Sequence, residues 1–141
     1  MKISLRRVDD ALAMEAENAN GNKVRMDASE QAGGKASGAS PMEMVLMAAA
    51  GCSSIDIIDI LKKQRHEIDD LQVEAEGTRA ENPPKVFTHI KLTFYIAGEV
   101  PESKVKRAVD LSMTKYCSVS QMLEKATDIS YEVYLNDSSV S

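Results

Sequence analysis

The chain has 141 residues, a formal net charge of -5 and a pI near 5.1. Nucleic acid and anionic membranes attract basic surfaces, so this acidic balance disfavours both as partners. The lack of Trp and an aromatic share of 4% leave few platforms for stacking bases. The length suits one domain over residues 1–141, large enough to bury a core without disulfide staples.

Met1 to Arg7 carries charges and is not followed by an apolar run, so no secretory leader is expected. Ile3 and Leu5 suggest a first strand. Leu12, Met14 and Ala16 alternate with Ala13, Glu15 and Glu17, and Val24, Met26 and Ala28 alternate with Lys23, Arg25 and Asp27. A period of two with one polar face predicts half-buried antiparallel strands. Asn20-Gly21 between them offers the positive φ that a hairpin turn needs. Ser29 to Ser40 is rich in Gly, Ala and Ser, lacks a period and reads as a loop of the kind that is functional or mobile. Its Gly33-Gly34-Lys35 is not a phosphate loop, because Ser29 occupies the place of the required earlier Gly.

Ser40-Pro41-Met42-Glu43 predicts a helix start: Ser40 caps, Pro41 takes the first helical position and Glu43 completes a capping box. The helix is expected to reach about Arg65. Met44 to Cys52 is apolar on every side, which predicts a helix wrapped by protein. Glu43, Asp56 and Asp59 interrupt the apolar stretch Met42 to Leu61, which argues against a membrane span and for a cytoplasmic chain. Two strands follow, one alternating through Leu71, Val73 and Ala75, the next facing Val86, Ile90, Leu92, Phe94 and Ile96 inward. A helix from Glu102 buries Val105, Ala108, Val109 and Met113. Ser118, with Gln121 three positions on, is expected to cap a short helix, and Ile129, Tyr131, Val133 and Leu135 form a last strand. Strands and helices come in blocks, so the class is α+β with mainly antiparallel sheet.

Two cysteines carry the chemistry most readily. Cys52 lies mid-helix between Ala48-Ala49-Ala50-Gly51 and Ser53-Ser54, small residues that admit close approach of another element or a ligand. Asp56 stands one turn further on the same face, where its charge would disfavour a thiolate, so activation needs a cation from elsewhere. Cys117 precedes a helix start, where backbone amides favour a thiolate, and Lys115 is near in sequence. Core filling is the plain alternative for either thiol. His89 shares a polar strand face with Lys91 and Thr93, and His66 follows a helix end. Two His and two distant Cys lack zinc-like spacing, so neither a metal nor a cofactor is expected. Tyr116 beside Cys117 has two readings, lining a pocket and, the plainer one, core packing.

Ser40-Pro41-Met42-Glu43, the small-residue helix reaching Gly51-Cys52, and Cys117-Ser118-Val119-Ser120 before an amphipathic turn resemble the OsmC/Ohr family of thiol peroxidases, on the side of its less characterised OsmC-like branch. The resemblance covers nearly the whole chain. It implies an OsmC-like fold, with antiparallel sheets packed around a long buried central helix in an intertwined homodimer whose sites lie at the interface. It also implies a mechanism: Cys52 attacks an organic hydroperoxide and becomes a sulfenic acid, Cys117 resolves this to a disulfide, and an external dithiol reduces it. The chain departs from the family pattern where a Glu directly follows the helix-starting Pro. Met42 is there, and the carboxylate comes one place later as Glu43, the third candidate site residue. None of Arg6, Arg7 and Arg25 falls in the register of the family's activating Arg. Glu43 and Cys52 lie nine residues apart on one helix, hence roughly 13 Å along the axis and on opposite faces, so Glu43 would reach a site only across a subunit boundary. Two further readings use the same residues: a non-catalytic module that binds an apolar ligand, and a redox sensor or sulfur carrier whose thiols react slowly.

Overall fold

The computed structural model describes all residues from Met1 to Ser141 and separates into two compact units, Met1–Val45 and Leu46–Ser141. The first unit is a three-stranded antiparallel sheet in the order β1 (Ile3–Arg7), β2 (Met14–Asn18), β3 (Lys23–Met26). Its register places Leu5, Ala16 and Val24 side by side on one face and Arg6, Glu15 and Arg25 on the other, which is the alternation seen in the sequence. The β2–β3 turn is wider than a two-residue hairpin: only Gly21 has positive φ, and the Asn18 side chain accepts from the Asn20 and Asn22 amides.

The loop after β3 has no periodicity because its order comes from one buried carboxylate. Asp27 accepts from the backbone N–H groups of Ala28, Lys35 and Ser37 and from the Ser37 hydroxyl. These bonds, led by the Ser37 hydroxyl, hold its pKa down at about 2. A Cβ on Gly34 would stand 2.1 Å from the Ala28 carbonyl oxygen, so the loop can close over Asp27 only with glycine there. Lys35 pairs with Asp10 at 2.6 Å, a structural use of the Gly33-Gly34-Lys35 segment.

The helix α1 (Pro41–Lys63) starts in the first unit and continues into the second. The predicted capping box is present: the Ser40 amide donates to Glu43 at 2.9 Å and the Glu43 amide to the Ser40 hydroxyl at 3.2 Å. It ends two residues before the expected Arg65, which adopts φ 62°. The Arg65 amide donates to Lys62 and that of His66 to Leu61, the bond pair of a left-handed helix stop. The expectation of a helix buried all round does not hold for the single chain. Ala49, Ser53, Ile57 and Leu61 form one buried row at intervals of four, whereas Met47, Ile55 and Ile58 are exposed and nothing covers Gly51. By length and composition alone α1 could cross a membrane, but its buried row is spent on protein packing and carries Ser53.

The second unit holds a four-stranded sheet in the order β4 (Asp70–Arg79), β5 (Phe87–Ala97), β6 (Asp128–Leu135), β7 (Ser138–Ser139). Ile90, Leu92, Phe94 and Ile96 are buried as expected, but Val86 is exposed and Phe87 takes the inward place. A register shift at Thr78/Arg79 changes the phase of the alternation there. Gly77 lies beneath Phe87, where a Cβ would come within 2.3 Å of the ring. The β5–β6 pair is parallel, a departure from an all-antiparallel sheet. The chain returns to the start of β5 through α2 (Glu102–Leu111), a π-helical turn (Ser112–Tyr116) and α3 (Ser118–Leu123), the long crossover a parallel pair requires. Asn136 and Asp137, both at positive φ, then turn the chain into β7. His89 bonds Ser130 and Lys91 pairs with Glu132 across the same polar face, so His89 is a surface strand residue.

Candidate functional site

Cys52 stands on α1 one position before the buried row, and Asp56 follows it by one turn. Across from them, α2 buries Val105, Ala108 and Val109 and leads into the π-helical turn with Ser112 and Met113 also buried. Ser112 is the docking residue. Its hydroxyl lies 3.3 Å from both the Ser53 carbonyl oxygen and Asp56 Oδ2, donating toward α1 where Cys52 sits. The turn closes with the Cys117 amide donating to the Ser112 carbonyl at 2.8 Å, and the Gln121 side chain donates to the Met113 carbonyl. Wide turns of this kind recur where a helix must present a particular residue. Here it delivers Cys117.

The result is a compact trio. The sulfurs of Cys52 and Cys117 and a carboxylate oxygen of Asp56 all lie within 4.8 Å of one another. Both thiols are free; Cys117 is buried and Cys52 half-buried. The sulfurs are thus near each other but not bonded, since a disulfide needs about 2.05 Å.

Cys117 itself caps α3, not Ser118 as the sequence suggested: its Sγ accepts the Ser120 amide at 3.4 Å. Sulfur replaces oxygen as the cap because Ser118 is already the first helical residue. Burial pushes the Cys117 thiol above its ordinary pKa, the Ser120 hydroxyl and amide pull it down, and neighbouring Cys52 pushes it up again. The buried Ser120 hydroxyl has no hydrogen-bond partner. The Lys115 ammonium, expected near the thiol, lies over the Tyr116 ring, 5.1 Å from its centroid. Asp56 forms no ion pair within the chain. It also lines a cleft of about 450 Å³ together with Asp59, Ile60, Lys63, Gln64, Leu111 and Tyr116.

Glu43 lies in the first unit and is engaged in the capping box, whose bonds to Ser40 hold its pKa below the usual range. The three arginines of that unit are also occupied. Arg6 pairs with Glu15, Arg7 donates to the carbonyls of Asp10 and Ala11, and Arg25 donates to Ser37.

The OsmC-like protein family profile matches residues 33–132, the span that holds both cysteines. The chain belongs to the OsmC-like family. It is 49% identical to Protein YhfA of Escherichia coli K12 over 127 residues, covering 88% of this chain and 92% of that protein. A hypothetical protein of Aquifex aeolicus superposes with a TM-score of 0.79 at 31% identity, over 96% of each chain. The organic hydroperoxide resistance protein OhrB of Bacillus subtilis shares the OsmC-like fold with a TM-score of 0.63 at 17% identity, covering 94% of this chain and 96% of OhrB. Ser112 escaped the sequence reading. Its signal was there: it continues the buried positions Val105, Ala108 and Val109 at helical spacing, and a serine on an apolar row needs a partner.

Proposed function

We propose that this OsmC-like chain is a thiol peroxidase for organic hydroperoxides. The observation that carries the reading is the approach of two free sulfurs, distant in sequence, to within 4.8 Å on rigid helical elements. The half-buried Cys52 thiolate attacks one peroxide oxygen. The O–O bond breaks, the alkoxide leaves and takes a proton to become an alcohol, and Cys52 becomes a sulfenic acid. The Cys117 thiolate attacks that sulfur and displaces hydroxide, which takes a proton to become water, leaving a Cys52–Cys117 disulfide. An external dithiol restores both thiols by exchange. The Ser120 amide and hydroxyl face the Cys117 sulfur and favour its charged form. The cleft that Asp56 helps to line, with Ile60, Leu111 and Tyr116 in its walls, suits the alkyl part of a substrate.

The working unit in this reading is one OsmC-like domain paired as a homodimer. The exposed apolar row Met47, Ile55 and Ile58 beside bare Gly51 is a surface that a second copy would cover. Glu43 joins a site only if the partner subunit provides it there.

Stopped-flow consumption of an alkyl hydroperoxide with excess dithiol tests the chemistry. Cys52→Ser should abolish consumption, and Cys117→Ser should allow one turnover that ends in a trappable sulfenic acid. Full activity in Cys52→Ser would refute the roles. Sedimentation at micromolar concentration tests the pairing: a fully active monomer removes it. One observation favours a slower redox sensor instead, namely the Asp56 carboxylate beside both sulfurs without an ion-pair partner. A single slow loss of thiol without turnover would establish that reading.

A further inference from the structure

Peroxide reduction leaves Asp56 without a task. Asp56 has no ion-pair partner in the chain, yet its Oδ2 lies 3.3 Å from the Ser112 hydroxyl and its carboxylate stands within 4.8 Å of both sulfurs. We propose that Cys52, Cys117 and Asp56 form a three-ligand site for a thiophilic divalent cation of the zinc type.

The donor set is that of an open tetrahedral zinc site, two thiolates and one carboxylate with a fourth position left to solvent. With Zn–S bonds of about 2.3 Å the sulfurs of such a site stand about 3.8 Å apart, so a trio already within 4.8 Å closes by small rotations of short side chains. Cys52 and Asp56 are one helical turn apart on α1, and Cys117 faces them from the start of α3. The surroundings supply the outer hydrogen bonds that metal ligands require. Ser112 orients the carboxylate. The Ser120 amide donates to the Cys117 sulfur, and the buried Ser120 hydroxyl, which otherwise lacks a partner, donates to the same sulfur once it is a thiolate. Binding exchanges two S–H protons for two metal–sulfur bonds without any change of oxidation state. Two thiolates and one carboxylate, which would repel one another without a cation, become the ligand set. A bound cation occupies both sulfurs and so blocks peroxide reduction, while oxidation to the disulfide removes two ligands and expels the cation.

The test is titration of the reduced, chelator-treated protein with Co2+ and then Zn2+ under anaerobic conditions. The expected result is one cation per chain, a thiolate-to-cobalt charge-transfer band, displacement of Co2+ by Zn2+, and release of about two protons per cation at neutral pH. Cys52→Ser and Cys117→Ser should lose the band. Asp56→Asn should weaken affinity at least about tenfold. Circular dichroism checks each variant, and the half-exposed Cys52→Ser carries the test if the buried Cys117→Ser does not fold. No uptake at micromolar cation, uptake retained in Cys52→Ser, or an affinity unchanged in Asp56→Asn would each overturn the site. The readout is independent of peroxide turnover, so a failure here leaves the peroxidase reading standing, and an inactive peroxidase leaves the metal site testable.

Discussion

Replacing Cys117 isolates the structural work of its sulfur. The side chain is fully buried, and its Sγ is the acceptor for the amide of Ser120, itself 1% exposed. In Cys117→Ala that amide loses its partner where water does not reach it, which costs about 1 kcal/mol as a lost helix cap. Removing the buried sulfur adds roughly 1–2 kcal/mol for lost transfer energy and the space left behind. Cys117→Ser keeps an acceptor for the amide and gives the unpartnered Ser120 hydroxyl a neighbour of its own kind, so its net cost should stay near or below about 1 kcal/mol. The two variants should therefore differ by roughly 1–2 kcal/mol. At a urea slope of about 2 kcal/mol per molar this is a midpoint difference on the order of 0.5–1 M. The assay is urea unfolding of the reduced protein at one fixed chain concentration, since an oligomer's midpoint moves with concentration. Equal midpoints for the two variants would show that the sulfur cap contributes nothing and would refute the reasoning.

Gly77→Ala should destabilise by about 1–3 kcal/mol, because its Cβ would come within 2.3 Å of the Phe87 ring in a packed sheet face; thermal unfolding reads it. Arg65→Gly should stabilise by about 0.5–1 kcal/mol, because Arg65 holds φ 62° at the end of α1 where glycine is unstrained; chemical denaturation reads that gain, and a loss would contradict it. Asp27, depressed to about 2, stabilises the first unit above its unfolded pKa of about 3.9. That stability should fall as pH drops from about 4 toward 2, and Asp27→Asn should flatten this part of the acid transition followed by circular dichroism.

Local physics was legible in the linear chain. The alternation of β2, β3 and β4, the capping box at Ser40 and Glu43, and the buried positions of α2 all follow from periodicity and short-range hydrogen bonding, which act between residues a few places apart. The two cysteines were also visible, because small residues around Cys52 and a helix start beside Cys117 are local signals. What no local signal carries is which distant partner satisfies a given group. The parallel pairing of β5 with β6 depends on where the crossover returns the chain. The inward place of Phe87 depends on a register shift against β4. The sulfur cap of α3 and the docking of Ser112 onto Asp56 depend on how a π-helical turn meets α1. The exposed row of α1 differs for a similar reason: composition shows that a helix is apolar, but only the packed chain shows which of its faces finds protein. Sequence alone determined most of the elements and the two candidate thiols. Tertiary structure decided that Cys52, Cys117 and Asp56 share one place, because bringing them together is long-range chain closure, set by the packing of whole elements against one another.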